Sequence, residues 1–251
     1  MGEQGEWFNT WFDSEYYHIL YSHRDFDEAK AFIDALDKFF KFQSNQKALD
    51  AACGRGRHSI YLNEKGLDVT GIDISKESIE FARQFEKENL HFLIQDIRKP
   101  LKEKGFDYIF NLFTSFGYFE KEEDTIQALK AFNEELKPGG FLILDFLNPE
   151  KTVQNLVKEE IRNAGGISFN IKRRIEGIYL IKDILFEDQG EKFHFYEKVR
   201  LIRKEEFLNY FNFTGFLIRN VVGNYSLEEY QEAQSERMIF IAEKKPNQNP
   251  Q

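Results

Sequence analysis

The sequence has few of the residues that form crosslinks or bind metals. One cysteine, Cys53, occurs among the 251 residues, which excludes an intrachain disulfide and a cysteine-cluster metal site. The five histidines form no H-E-x-x-H motif or other short ligand pair, so we expect no metal. The chain also lacks a run of about 18 apolar residues and a charged-then-apolar leader. We therefore expect a soluble, cytoplasmic protein without a membrane partner.

Positive charge is also in short supply. The 34 Lys and Arg residues are outnumbered by 43 Asp and Glu residues, and the formal net charge is −9. Because a nucleic-acid footprint needs clustered basic side chains, this balance argues against a nucleic-acid partner. Phenylalanine is abundant instead, with 27 residues. It predicts either a Phe-rich core or an aromatic-lined substrate cavity.

Strand-like and helix-like segments alternate from Lys47 to Asn148, which predicts right-handed βαβ units and a mostly parallel sheet. A helical segment is expected around Thr152 to Asn163. Three strand-like stretches within 167–202 follow it and predict an inserted antiparallel meander, which either covers the substrate or forms a dimer contact. The chain is long enough for one sizeable α/β domain with an elaboration. The expected divisions are 1–46 (helical, aromatic), 47–166 (α/β core), 167–202 (β insertion) and 203–245 (completion of the core).

A glycine-rich turn follows the first strand in the stretch "ALDAACGRGRHSIYL". The dinucleotide fingerprint G-x-G-x-x-G is broken because Ser59 occupies its third glycine position. A carboxylate at Asp50 would also repel a pyrophosphate, whereas it suits a cationic or amino-bearing ligand such as S-adenosylmethionine (SAM). Asp73 ends the second strand, where it can accept hydrogen bonds from both ribose hydroxyls. Asp96 ends the third, where it can accept from an adenine amino group.

Five segments resemble, in order and spacing, the motifs of the class I SAM-dependent methyltransferases. They are "LDAACGRGRHS", "VTGIDIS", "IQDI", "FDYIFNLFTSFGYF" and "LKPGGFLILDF". The resemblance implies a Rossmann-like seven-stranded sheet in which "SERMIFIAEK" supplies an antiparallel strand. It also implies that the segment before the first strand folds over the cofactor as a lid, in which Arg24 could pair with the SAM carboxylate. The cofactor-binding residues expected on this basis are Tyr17, Arg24, Asp50, Ala52, Gly54, Gly56, Asp73, Ile74, Gln95, Asp96, Ile97, Asn111 and Phe113.

Simpler structural interpretations stay open for several of these residues. Asp50 could cap the following turn, Asp96 could cap a helix, Arg24 could lie at the start of a surface helix, and Cys53 is expected to be a packing residue. No general base stands out, and the weak candidates for a catalytic role are Tyr118, His18 and Tyr225.

The end of the fourth strand, "NLFTS", differs from the D/N-P-P-Y/F signature of methylases that act on nucleic-acid bases. Together with the acidic charge, it favours a small-molecule methyl acceptor. The alternatives are a non-catalytic SAM-binding or sensing domain, and an RNA- or protein-directed methyltransferase. A monomer and a homodimer are both compatible with the sequence.

Overall fold

The computed structural model describes residues 7–22 and 26–246. Its helices and strands alternate through the first two thirds of the chain. The helices are α1 (Trp7–Phe12), α2 (Glu15–Leu20), α3 (Phe26–Phe40), α4 (Arg57–Glu64), α5 (Lys76–Ala82), α6 (Glu122–Glu135), α7 (Pro149–Gln154) and α8 (Lys204–Phe213). The strands are β1 (Lys47–Ala51), β2 (Asp68–Asp73), β3 (Leu90–Ile94), β4 (Phe106–Asn111), β5 (Leu136–Leu147), β6 (Glu159–Ala164), β7 (Ile167–Glu176), β8 (Tyr179–Asp188), β9 (Glu191–Arg200), β10 (Phe216–Val222) and β11 (Arg237–Lys244).

The central sheet has seven strands in the order β10-β11-β5-β4-β1-β2-β3. The pairs among β1 to β5 are parallel, whereas β11 runs antiparallel to both β5 and β10. This arrangement confirms the predicted seven-stranded sheet and its inserted antiparallel strand. The carboxyl ends of β1, β2, β3 and β4 consequently lie along one edge, where α/β sheets bind ligands.

Helices cover both faces of the central sheet, so its middle strands are buried throughout. Helices α3, α4 and α5 pack on one face, and α6 and α8 pack on the other. Every residue of β4 is buried, as expected for a parallel strand between two helical layers. Among the described residues, the largest fully buried side chains are Trp11 and eleven phenylalanines. Much of the phenylalanine content therefore belongs to the core.

A second sheet is inserted after α7 and contains four antiparallel strands in the order β6-β7-β8-β9. The expectation of a helix around Thr152 to Asn163 was wrong beyond residue 154, because 159–164 form the strand β6. This strand pairs with β7 through a turn at Gly165 and Gly166, which have φ values of 56° and 81°. Positive φ at two successive residues makes a tight hairpin turn. The insertion therefore begins at about residue 159 and has one strand more than predicted.

The N-terminal helices α1 and α2 join the two sheets. Trp11 and Leu20 are buried against Phe169 and Phe186 of the inserted sheet. In the turn between the two helices, Asp13 accepts hydrogen bonds from Ser75 Oγ (2.9 Å) and from the backbone N–H of Glu77 (2.8 Å) at the start of α5. The segment 7–22 thus holds the inserted sheet against the edge of the central sheet. No helix in the described ranges is long and apolar enough to cross a membrane.

Candidate cofactor and substrate site

A cavity of about 500 Å³ lies between the carboxyl edge of the central sheet and helices α1 and α2. Twelve of the residues proposed from sequence line it: Tyr17, His18, Asp50, Ala52, Gly54, Asp73, Ile74, Gln95, Asp96, Ile97, Phe113 and Tyr118. Gly56, Asn111 and Tyr225 are not among the lining residues. Arg24 lies outside the described residues.

The loop between β1 and α4 adopts left-handed backbone conformations where it meets the cavity. Ala52, Gly54 and Gly56 have φ values of 63°, 55° and 82°. A Cβ atom at Gly56 would lie 2.7 Å from the ring of Phe92, so this glycine allows the loop to pack against β3. The glycine at this position is therefore explained by packing and backbone conformation, whereas Gly54 faces the cavity.

Asp50 places a buried carboxylate at the end of β1. Its side chain is 1% exposed and accepts a hydrogen bond from Ser59 Oγ at 2.5 Å. Burial raises the pKa of Asp50 to about 6, although the Ser59 hydrogen bond and the positive charge of Arg57 act in the opposite direction. A cationic group bound beside this carboxylate would stabilise its ionised form.

Asp73 fixes the geometry of the neighbouring loop. Its two carboxylate oxygens accept backbone hydrogen bonds from Gly54 and Ser75, each at 2.8 Å. Burial raises the pKa of Asp73, and these hydrogen bonds counteract the shift. The carboxylate faces the cavity, and a carboxylate oxygen can accept a further hydrogen bond from a ligand hydroxyl.

Asp96 is engaged within its own turn. Arg98 Nε lies 3.0 Å from both carboxylate oxygens of Asp96, and the Arg98 backbone N–H donates to it at 2.9 Å. Burial opposes ionisation, but the Arg98 hydrogen bonds are sufficient to lower the pKa of Asp96. An ionised carboxylate therefore faces the cavity beside Gln95 and Ile97.

The loop after β4 is held in a strained conformation. Phe113 and Thr114 have φ values of 57° and 60°, which non-glycine residues adopt rarely. Their backbone N–H groups donate to Asp145, to its carboxylate at 2.7 Å and to its carbonyl at 3.1 Å respectively. The fully buried Asp145 carboxylate also lies 2.7 Å from the Arg237 guanidinium. This buried ion pair keeps Phe113 directed towards the cavity.

Two residues proposed from sequence support this loop from behind. The Tyr225 ring stacks on Phe113 with a centroid distance of 5.1 Å, and its hydroxyl donates to Asp145 at 3.1 Å. Asn111 is fully buried and donates to the carbonyl of Ala51 at 2.9 Å, which connects β4 to β1. These contacts indicate supporting roles for Tyr225 and Asn111 rather than direct contact with a ligand.

His18 connects α2 to α5 beside the cavity. Its Nε2 lies 2.6 Å from Glu77 Oε2, and Arg55 binds the other oxygen of Glu77 at 2.5 Å. Burial and the positive charge of Arg55 lower the pKa of His18, although Glu77 acts against them. The contact with Glu77 ties α2 to α5.

The cavity wall formed by α1, α2 and the β4 loop is aromatic. Phe12 and Tyr118 lie 5.2 Å apart between ring centroids, and Phe12 and Tyr17 lie 5.1 Å apart. Tyr21 also lines the cavity; its hydroxyl accepts from Lys182 and donates to Glu197 at 2.6 Å. An acceptor next to this wall would contact aromatic side chains.

Sequence reasoning assigned no ligand contact to several other lining residues: Phe8, Arg55, Arg57, Ser78, Phe81, Phe85, Leu112, Ser115 and Phe119. Arg55 and Arg57 lie in the glycine-rich stretch "ALDAACGRGRHSIYL", so their positions next to the glycines could have identified them as lining residues from sequence. Phe81 and Phe85 are four residues apart, a spacing that the sequence equally allowed as core packing. Among the described residues, no group of three or more His, Cys, Asp or Glu side chains is arranged to hold a metal ion.

Comparisons with known proteins agree with this geometry. Residues 42–215 match a family model described as a methyltransferase domain. The chain is 30% identical over 238 residues to the candidate methyltransferase YqeM of Bacillus subtilis (strain 168), covering 91% of this chain and 94% of that protein.

Two solved structures show the same fold at low sequence identity. A SAM-dependent methyltransferase from Clostridium acetobutylicum ATCC 824 superposes with a TM-score of 0.78 at 22% identity, covering 92% of this chain and 96% of that chain. SAM-bound CalS10, an amino pentose methyltransferase from Micromonospora echinaspora, gives a TM-score of 0.68 at 19% identity, with 92% and 97% covered.

Proposed function

Because this chain belongs to the methyltransferase-domain family and is an enzyme that uses SAM, we propose that it methylates a small molecule enclosed in the cavity beneath α1 and α2. The aromatic wall formed by α1, α2 and the loop after β4 carries this proposal. It lines the same cavity as the carboxylates at the ends of β1, β2 and β3. A partly apolar, compact acceptor fits such a wall.

The lining residues fit SAM. The buried carboxylate of Asp50 complements the ammonium group, and Asp73 complements the ribose hydroxyls. Asp96, with Gln95 and Ile97, is then available to the adenine, and Ile74 to the apolar face of the nucleoside. The left-handed backbone at Ala52 and Gly54 allows the chain to approach the ligand closely.

When bound, SAM supplies a sulfonium methyl group that an acceptor displaces in line. Since charge disperses in that displacement, the protein contributes alignment and exclusion of water. Tyr17 and Tyr118 line the cavity, and aromatic faces attract cationic methyl groups. The Phe113 ring, which stacks on Tyr225, forms part of the same wall. Asp145 and Arg237 hold Phe113 in the required conformation.

Tyr21 offers a route for a proton leaving the acceptor. Tyr21 lines the cavity, and its hydroxyl donates to Glu197. A proton leaving the acceptor would pass to the Tyr21 oxygen while the Tyr21 proton passes to the Glu197 carboxylate. The positive charge of Lys182, beside the same hydroxyl, stabilises negative charge that develops on the oxygen. Uptake of that proton would neutralise the Glu197 carboxylate as the positive charge of the sulfonium is lost.

The position of α1 and α2 favours a small molecule over RNA or a protein surface. The two helices and the turn between them contact the inserted sheet and α5 and lie over part of the cavity, which limits the space for a large acceptor. The similarity to CalS10, whose substrate is an amino pentose, supports the same acceptor class. A SAM-sensing domain remains the alternative, and the open space beside the aromatic wall argues for catalysis.

Radiolabelled SAM would test the proposal directly. The protein is incubated with a cell extract separated by ultrafiltration into small-molecule and macromolecular fractions. We expect label to enter the small-molecule fraction, and Asp50→Asn to abolish this transfer. Tyr21→Phe should slow transfer while leaving SAM binding unchanged. Label entering RNA or protein instead would overturn the acceptor class, and no transfer to either fraction would favour the sensing alternative.

A further inference from the structure

The turn between β6 and β7 approaches α2 very closely. A Cβ atom at Gly165 would lie 2.6 Å from Cγ2 of Ile19, whereas carbon atoms in contact lie about 3.5–4.0 Å apart. Because the χ1 angle of a β-branched side chain is restricted in a helix, rotation of Ile19 cannot relieve this conflict. A side chain at position 165 therefore requires the turn and α2 to separate by about 1 Å.

Ile19 lies on the face of α2 that points away from the cavity. Tyr17, His18 and Tyr21 line one end of the cavity, which we call the acceptor end. Since successive residues of an α-helix are rotated by about 100°, Ile19 lies opposite the midpoint between Tyr17 and Tyr21. It packs in the cluster that contains Ile167 of β7. Displacement of α2 away from the turn would consequently push its aromatic residues into the cavity.

The turn is anchored by the strands on either side of it. Strands β6 and β7 pair directly up to Ala164 and Ile167, and Ile167 is buried. Gly165 and Gly166 have φ values of 56° and 81°, so a Cβ atom imposes backbone strain at either position. At Gly166, however, a Cβ atom would meet no heavy atom within 4 Å. Gly166 therefore provides a matched control for Gly165.

We propose that the β6–β7 turn is a stop for α2 and sets the width of the acceptor end, with Gly165 and Ile19 as positioning residues. Neither residue lines the cavity, so both act through the opposite face of α2. The inserted sheet thereby controls which acceptors fit. This consequence rests on the proposed transfer to a small molecule, whereas the position of α2 can be measured without an acceptor.

Tryptophan fluorescence measures that position, because Trp7 and Trp11 of α1 are the two tryptophans of the sequence. The Trp11 and Tyr17 rings lie 5.6 Å apart between centroids, so movement of α2 changes the surroundings of Trp11. We expect Gly165→Ala to shift the emission spectrum and Gly166→Ala to leave it unchanged. Thermal unfolding verifies that each variant is folded in the assay.

A double variant tests whether the contact itself is responsible. In Gly165→Ala/Ile19→Ala the Cβ atoms of the two residues would lie 3.7 Å apart, which is an ordinary contact and restores the stop. We expect the double variant to regain the wild-type spectrum, a non-additive result for two residues in contact. Ile19→Ala alone introduces no strained backbone and should shift the emission because α2 loses its stop. This variant and the double variant keep the test decisive if Gly165→Ala does not fold.

Transfer from radiolabelled SAM to the small-molecule fraction of a cell extract tests the consequence for the acceptor. Gly165→Ala should slow transfer by about 10- to 100-fold, since a displacement of about 1 Å can cost about 100-fold. Its Kd for SAM in calorimetry should change by less than about threefold, because the carboxylates at the ends of β1, β2 and β3 stay in place. Gly166→Ala and the double variant should transfer at close to the wild-type rate.

Equal spectra and equal transfer rates in Gly165→Ala and Gly166→Ala would overturn the inference. A defect in Gly165→Ala that Ile19→Ala does not restore would also overturn it, because the contact between the two residues would not be the cause. A shifted spectrum with an unchanged transfer rate would refute the control of acceptor fit. A wild-type protein that transfers no label to a small molecule would overturn the proposed function, and the fluorescence comparison would still decide the position of α2.

Discussion

SAM binding should release a proton and weaken as the solution becomes acidic. Burial raises the pKa of Asp50 to about 6 in the free protein. An ammonium bound beside this carboxylate favours its ionised form and lowers its pKa. The bound protein therefore holds fewer protons than the free protein near pH 6. SAM should bind with its full affinity well above the pKa of Asp50 in the free protein, and the affinity should fall as the pH drops through that value.

The size of the effect follows from that pKa. If only the ionised carboxylate binds the ammonium, the apparent Kd doubles at about pH 6 and rises about tenfold at about pH 5 relative to pH 7. Half of the protein molecules carry the Asp50 proton at pH 6, so about half a proton leaves per SAM bound. The α-amino group of SAM, with a pKa of about 8, stays protonated over this range.

Calorimetry in two buffers of different ionisation enthalpy measures the released protons. The control ligand is 5′-methylthioadenosine, which keeps the adenosine and lacks the amino-acid end. Asp73 is proposed to face the ribose, which both ligands carry, so its contribution should be common to both and the difference should isolate Asp50. An affinity for SAM that is constant between about pH 5 and 7 would refute the reasoning. Equal proton release by the two ligands would do the same.

Three further predictions concern single side chains. Asp73→Ala should weaken SAM binding by about 1–3 kcal/mol, because the ribose hydroxyls lose their acceptor; an unchanged Kd in calorimetry would exclude that role. Arg237→Met should lower the free energy of unfolding in urea by about 3–5 kcal/mol, because the Asp145 charge stays buried without its partner. The control Arg219→Met removes an exposed arginine that pairs with Glu243 and should cost less than about 1 kcal/mol; similar losses in the two variants would contradict the argument. Burial raises the pKa of Glu135 to about 7, so the folded state keeps the Glu135 proton to higher pH than the unfolded state does. The stability that this proton provides is therefore lost as the pH rises from about 4.5 to 7. Glu135→Gln should therefore gain stability relative to wild type over that range, by roughly 3 kcal/mol, whereas a difference independent of pH would show that Glu135 does not titrate there.

The central sheet could be predicted from sequence because its signals are local. Continuous apolar strands, each followed by a turn or helix start, identified β1 to β5 and the order of their motifs. The positions of Asp50, Asp73 and Asp96 at strand ends then placed them on one edge, since parallel strands end together. All three line the cavity.

Contacts between distant segments could not be predicted in this way. The ion pair of Arg237 with Asp145 joins positions 92 residues apart, and no local pattern connects them. Strand β6 was missed because its sequence, "EEIRNA", is polar; pairing with β7 and the Gly165–Gly166 turn determine its conformation. Tertiary contacts override intrinsic preference in such segments.

The cover of the cavity has a consequence for the order in which the chain folds. Trp11 and Tyr21 bind Glu197 across 186 and 176 positions of the sequence. On the ribosome, α1 and α2 emerge first, but their partner strand β9 is among the last elements to be made. Strands β1 to β4, whose carboxyl ends border the cavity, are complete by residue 111. Closing so long a loop is slow, so strands β1 to β4 of the nascent chain can pair while the cavity is still uncovered, and α1 and α2 complete their contacts over it only after β9 has been made.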